Sequence, residues 1–86
     1  MKKETVSITL KNGLEARLVA MLVQQASKYD SSIYFETEGK RVNGKSIMGM
    51  MSLSLTNGAS ITVEADGSDE TAAVEKICDF LTGKEA

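Results

Sequence analysis

Ser60-Ile61-Thr62-Val63-Glu64-Ala65 leads into Asp66-Gly67-Ser68-Asp69-Glu70 and then into a segment carrying Val74, Ile77, Cys78 and Leu81. In the first part Ile61, Val63 and Ala65 alternate with polar side chains, the period-2 pattern of a strand with one buried face. In the last part Val74, Ile77, Cys78 and Leu81 share one face of a helix. The five residues between them supply a turn, a cap and first-turn acids, and Gly83 closes the helix. A half-wet strand beside an amphipathic helix needs helical cover on its apolar side, which is the demand of an α+β fold.

The same two signals recur along the chain. Residues 5–10 alternate with Val6, Ile8 and Leu10 on one face and predict the first strand. Lys11-Asn12-Gly13 breaks that pattern, and Ala16, Val19, Ala20, Val23 and Ala26 then form a helical core stripe ending near Tyr29-Asp30. Residues 32–37 alternate around Ile33 and Phe35, and Glu38-Gly39-Lys40 reads as a tight turn returning through Arg41-Val42-Asn43, so a hairpin is expected. A short helix over residues 47–53 and a turn at Thr56-Asn57-Gly58 precede the strand already described. The order is β-α-β-β-α-β-α. The predicted fold is an α+β open-faced β-sandwich, a four-stranded antiparallel sheet covered on one face by three helices. The 86 residues make one domain, residues 1–86, burying about 60% of the surface exposed by the unfolded chain.

Composition removes several classes of function. Ten basic against twelve acidic side chains leave a net charge of −2, and the basic residues are scattered, so no footprint for direct nucleic-acid binding exists. A single cysteine and no histidine leave no disulfide, no zinc or copper ligand set and no expected metal or cofactor. A reducing cytoplasm fits that cysteine usage. No run of about 18 apolar residues suggests a membrane span, and the charged, alternating N-terminal segment is unlike a secretory leader. Cys78 is read as buried and inert, Lys28 and Lys40 as solvated charges, and Tyr29, Tyr34, Phe35 and Phe80 as packing residues.

Asn43-Gly44-Lys45-Ser46-Ile47-Met48-Gly49-Met50-Met51-Ser52-Leu53 carries the functional signal. It sets a hydroxyl at a helix N-cap, where a serine oxygen accepts from a backbone N–H one turn in. Ile47, Met48, Met50, Met51 and Leu53 cannot all face inward from so short a helix; Met50 and Leu53 are the expected core members. Flexible, polarizable methionines suit an adaptable binding surface. This segment resembles the regulatory serine region of HPr, the histidine-containing phosphocarrier of the sugar phosphotransferase system. The resemblance extends through Gly13-Leu14-Glu15-Ala16-Arg17, Ala26-Ser27-Lys28-Tyr29 and Asp66-Gly67-Ser68-Asp69-Glu70, nearly the full chain. It is greatest to the histidine-lacking catabolite-repression branch of that family.

In HPr proteins the first of these motifs holds the histidine that takes a phosphoryl group from enzyme I. Glu15 stands at that position, and Leu18 stands where the family has proline. Imidazole offers an unprotonated nitrogen near neutral pH and a phosphoramidate that passes its group on; a carboxylate has no equivalent nitrogen. The relay is therefore expected to be lost, with no catalytic residue and no enzymatic activity. Glu15 is then either a charge that suits a helix start or a fixed, singly charged imitation of phosphohistidine. Arg17 either docks a partner or pairs with Glu15.

Ser46 is either a plain N-cap or, as the family implies, the target of HPr kinase/phosphorylase. A phosphate there adds about −1.5 to −2 charge and three acceptor oxygens without unfolding the chain. By the same resemblance Ile47, Met48 and Met51 join Leu14 and Leu18 in an apolar patch rimmed by Arg17, Lys45 and Ser46. The expected partners are that kinase and a catabolite control repressor, with enzyme I-like proteins a further option, on a monomer or weak homodimer. Other readings stay open: a phosphocarrier with an atypical acceptor, an unmodified scaffold for metabolic enzymes, or an engineered variant of an ordinary carrier.

Overall fold

The computed structural model describes residues 1–9, 15–53 and 58–83, with residues 15–17 described by their backbone. Seven elements follow in the expected order: β1 (Lys2–Ser7), α1 (Glu15–Ser27), β2 (Ser32–Thr37), β3 (Lys40–Asn43), α2 (Ile47–Met51), β4 (Ser60–Asp66) and α3 (Glu70–Leu81). The strands form one antiparallel sheet in the order β1-β4-β2-β3. Register explains the core. Val6 faces Ile61, Phe35 faces Val63 and Ile33 faces Ala65, so inward apolar side chains line up across three strands. Ala73, Val74, Ile77, Cys78 and Leu81 of α3 and Leu18, Val19, Leu22 and Ala26 of α1 close over them.

The opposite sheet face is polar and wet. Thr5 and Thr62 hydroxyls lie 2.8 Å apart. The largely buried Glu64 carboxylate is paired with Arg41 and with Lys3 at 3.7 Å. Arg41 also stacks 4.0 Å above the Tyr34 ring, which places Tyr34 on this open face rather than in the core. Phe35 is in the core, and Tyr29 and Phe80 pack against it.

Several boundaries differ from the sequence expectation, among them α2, which ends at Met51 rather than at residue 53 as the Ser52 and Leu53 N–H groups turn to the i−3 carbonyls of Gly49 and Met50. The first strand begins at Lys2, because backbone pairing to β4 extends to Lys2 opposite Ala65, where inward register positions at the sheet margin carry the charged Lys2 and Glu4. Ile8 continues that pairing through Ala59, and Leu10 lies outside the described residues. The α1 core face centres on Leu18, Leu22 and Ala26 with Val19, rather than on the alanine-rich stripe; Ala20 and Val23 are half-buried. Leucines remove more apolar area from water than alanines, so the larger side chains decide the rotation. The helix stops at Ser27 and tightens, Lys28 N–H reaching Gln25 O and Tyr29 N–H reaching Ala26 O, both i to i−3.

The β2–β3 turn is centred on Glu38 and Gly39, with φ of 53° and 78°. Two successive positive φ values match the twist of a hairpin, and glycine takes the second without a Cβ penalty. Lys40 accordingly belongs to β3, paired with Thr37.

A carboxylate ties the α1–β2 connection to the start of α3. The Ser31 hydroxyl, the Asp30 N–H at 2.9 Å and the Ser31 N–H at 3.0 Å all donate to Asp69. These donors, the Ser31 hydroxyl foremost, hold the Asp69 carboxyl below its ordinary value of 3.8. A carboxylate with a lowered folded pKa stabilises the fold above the ordinary value and ceases to as pH falls through the folded one. Asp69→Asn is therefore expected to lower the melting temperature at neutral pH, with the gap from the parent chain narrowing as pH falls below 3.8. Thermal melts across pH check this; a gap that stays constant in acid contradicts it.

Cys78 is buried, and its thiol is pushed up to about 12 by burial first and the Glu4 carboxylate second. It carries almost no thiolate at neutral pH and is inert. Among the described residues no helix is long and apolar enough to cross a membrane, and no cluster of three or more His, Cys, Asp or Glu could hold a metal ion.

Candidate functional site

The site is built on the path from β3 into α2. Gly44 is buried and donates its N–H to Ile33 O at 2.7 Å. A Cβ at Gly44 would lie 2.5 Å from Cε2 of Phe35 and 3.0 Å from Cγ2 of Ile33, so the chain crosses the core ring at a distance only glycine permits. Asn43 then turns the chain: its Oδ1 accepts from Lys45 N–H at 2.8 Å and its carbonyl from Ser46 N–H at 3.1 Å. Ser46 emerges from this turn with extended backbone, φ −101° and ψ 114°, as the N-cap of α2.

Its Oγ accepts from Gly49 N–H at 3.2 Å, and the side chain is exposed. The expected cap is present and its hydroxyl faces solvent. Met50 is 0% exposed and anchors the helix to the core, with Leu53 buried just beyond. Ile47, Met48 and Met51 are 50%, 82% and 71% exposed, an apolar surface beside Ser46 on a helix five residues long. α2 packs against α1 and β3, which fixes this surface relative to the sheet.

Two lysines hold the segment in place. Lys45 Nζ donates to Tyr29 O at 2.7 Å, just beyond the C-terminus of α1. Lys40 Nζ donates to Ser52 O at 3.2 Å, at the C-terminus of α2. Ammonium groups at these carbonyls satisfy acceptors that a helix end leaves open. Lys40 is thus tied to α2 rather than a bare solvated charge. Neither contact has a local sequence signal, since each joins residues more than three helical turns apart in the chain.

The other expected members divide. Leu18 is 8% exposed and belongs to the core, so it does not join the exposed patch. Its face of α1, shared with Leu22 and Ala26 at i+4 and i+8, turns into the buried core. Glu15 is the first residue of α1, with Arg17 in the same turn; their side chains, and all of Leu14, lie outside the described residues. Lys45, Ser46, Ile47, Met48 and Met51 are brought together. Chemically the arrangement offers an accessible hydroxyl beside an exposed apolar surface rather than an enclosed pocket.

Comparison with known proteins places these features in context. A family model described as the PTS HPr component phosphorylation site matches residues 2–83. The chain is 43% identical over 81 residues to the HPr-like protein Crh of Bacillus subtilis, covering 94% of this chain and 95% of that one. The crystal structure of a phosphocarrier protein HPr from Bacillus anthracis superposes with a TM-score of 0.88 at 42% identity, covering 94% of this chain and 96% of that one. A Bacillus subtilis Crh crystal structure, a dimer with swapped domains, superposes with a TM-score of 0.74 at 42% identity, covering 100% and 98%.

Proposed function

The chain belongs to the HPr family, and we propose that within it the protein is a regulator of carbon catabolite control that is phosphorylated at Ser46 and does not relay phosphoryl groups from enzyme I. The observation that carries this reading is the exposed Ser46 hydroxyl at the N-cap of α2, flanked by the exposed Ile47, Met48 and Met51. The absence of histidine from the whole chain supports the second half of it. In this reading, which rests on the sequence resemblance, Glu15 takes the place of the family's phosphoryl acceptor, and a carboxylate supplies no imidazole nitrogen for the transfer.

HPr kinase/phosphorylase is the modifying enzyme in this reading, and a catabolite control repressor is the partner that reads the product. The phosphate changes the charge of a preformed surface and so changes which partner binds. Ile47, Met48 and Met51 supply the apolar centre of the contact, with Lys45 on its rim; the family resemblance adds Arg17. Contact with operator DNA is through the repressor.

The test is a titration of the repressor with the unmodified and the Ser46-phosphorylated chain. Phosphorylation is expected to tighten binding by about tenfold or more, equivalent to one charge-assisted hydrogen bond or better. Equal affinity of the two forms contradicts the reading. Incubation with enzyme I and phosphoenolpyruvate is expected to leave the chain unlabelled; a phosphoryl group taken up there, hydroxylamine-labile on a carboxylate or stable on a hydroxyl, would instead mark a carrier with an atypical acceptor.

A further inference from the structure

We infer that Met48 and Met51 are a paired oxidation site at which hydroperoxides turn the apolar surface beside Ser46 polar while the core stays intact. Three methionines stand within four residues, and the fold treats them in opposite ways. Met48 and Met51 are 82% and 71% exposed, whereas Met50 between them is 0% exposed. Thioether oxidation needs no ionisation, so access of the oxidant to sulfur sets the rate. The sulfur lone pair attacks one peroxide oxygen, the O–O bond breaks and an S–O bond forms. The displaced oxygen leaves as water or an alcohol after taking up a proton; sulfur gives up two electrons and the peroxide gains them.

Each product is a methionine sulfoxide, a polar and chiral hydrogen-bond acceptor in place of a flexible apolar side chain. Residues at i and i+3 of a helix are neighbours, so the two new oxygens fall on one patch of surface. Both side chains are already in water, and their oxidation removes no core contact. Met50 would bring a polar oxygen into the apolar interior, but burial keeps the oxidant away. Methionine sulfoxide reductases reverse the change, one enzyme for each sulfur epimer. The consequence for docking rests on the function proposed above; the selectivity of oxidation does not.

The experiment treats the full chain briefly with hydrogen peroxide, maps sulfoxides by peptide mass, records a thermal melt and measures Ser46 phosphorylation by HPr kinase/phosphorylase. Met48 and Met51 are expected to oxidise at least about tenfold faster than Met50, with the melt unchanged. Phosphorylation at low chain concentration is expected to fall about tenfold through a higher KM, and sulfoxide reductases restore it. A Met48→Leu/Met51→Leu chain is expected to keep its rate through the same treatment. Oxidation of Met50 at the same pace, or an oxidised chain phosphorylated at the untreated rate, overturns the inference. No phosphate on Ser46 of the untreated chain contradicts the proposed function instead, and the sulfoxide map then decides the oxidation site by itself.

Discussion

Phe35→Ala is expected to lower the unfolding free energy by about 3–5 kcal/mol, a large fraction of what holds a domain of this size together. The ring is 0% exposed and sits at the crossing of three elements. Val63 of β4 and Val42 of β3 face it in register, and the Gly44 backbone passes directly over it. Removing the ring leaves a cavity that this rigid crossing cannot collapse to fill. The loss reaches the functional segment, because Gly44 leads through Lys45 to Ser46. Denaturant melts followed by far-UV circular dichroism check the number; a loss below about 1 kcal/mol would show that the ring is not a keystone of the core. Gly44→Ala tests the same contact from the other side. It is expected to cost about 1–3 kcal/mol by overpacking. Adding Phe35→Leu should then cost less than in the parent chain, the non-additivity of two residues in contact.

Met48→Asp/Met51→Asp is expected to weaken binding to HPr kinase/phosphorylase by about 2 kcal/mol or more, roughly thirtyfold, with stability within about 0.5 kcal/mol of the parent. Both side chains are exposed, so their replacement costs the fold little, while a charge at the centre of an apolar contact is desolvated without a partner. Met50→Asp is the contrasting case. Its carboxylate would enter a fully buried site, and a loss of about 4 kcal/mol or more is expected. Equilibrium binding and thermal melts on the two variants separate the effects. If the exposed pair could be charged with no loss of binding, this surface would not be the docking face.

Local pattern carried much of this architecture. Residues 32–37 alternate cleanly because one face of β2 meets α-helical cover and the other meets water, and the strand has those bounds. The α3 stripe was legible for the same reason, with Ala73 as its one additional buried member. The α1 rotation was less so, since alanines and leucines on neighbouring stripes both satisfy helical spacing and side-chain size breaks the tie. Lys2 and Glu4 hid the start of β1, because inward positions at a sheet margin tolerate long charged side chains.

At the site, Ser46, Ile47, Met48 and Met51 were readable because an N-cap and a short helix are local events. The ties that hold them were not. Lys45 to Tyr29, Lys40 to Ser52 and Asp69 to Ser31 join residues 16, 12 and 38 positions apart, and only the folded topology brings them together. Leu18 shows the converse error, a residue assigned to the surface by resemblance and drawn inside by its helix face.

The most direct measurement is a map of phosphate on the chain after incubation with HPr kinase/phosphorylase and ATP. One acid-stable phosphoryl group on Ser46, absent from Ser46→Ala, is the predicted result. A chain that takes no phosphate, or takes it at another residue, contradicts the account.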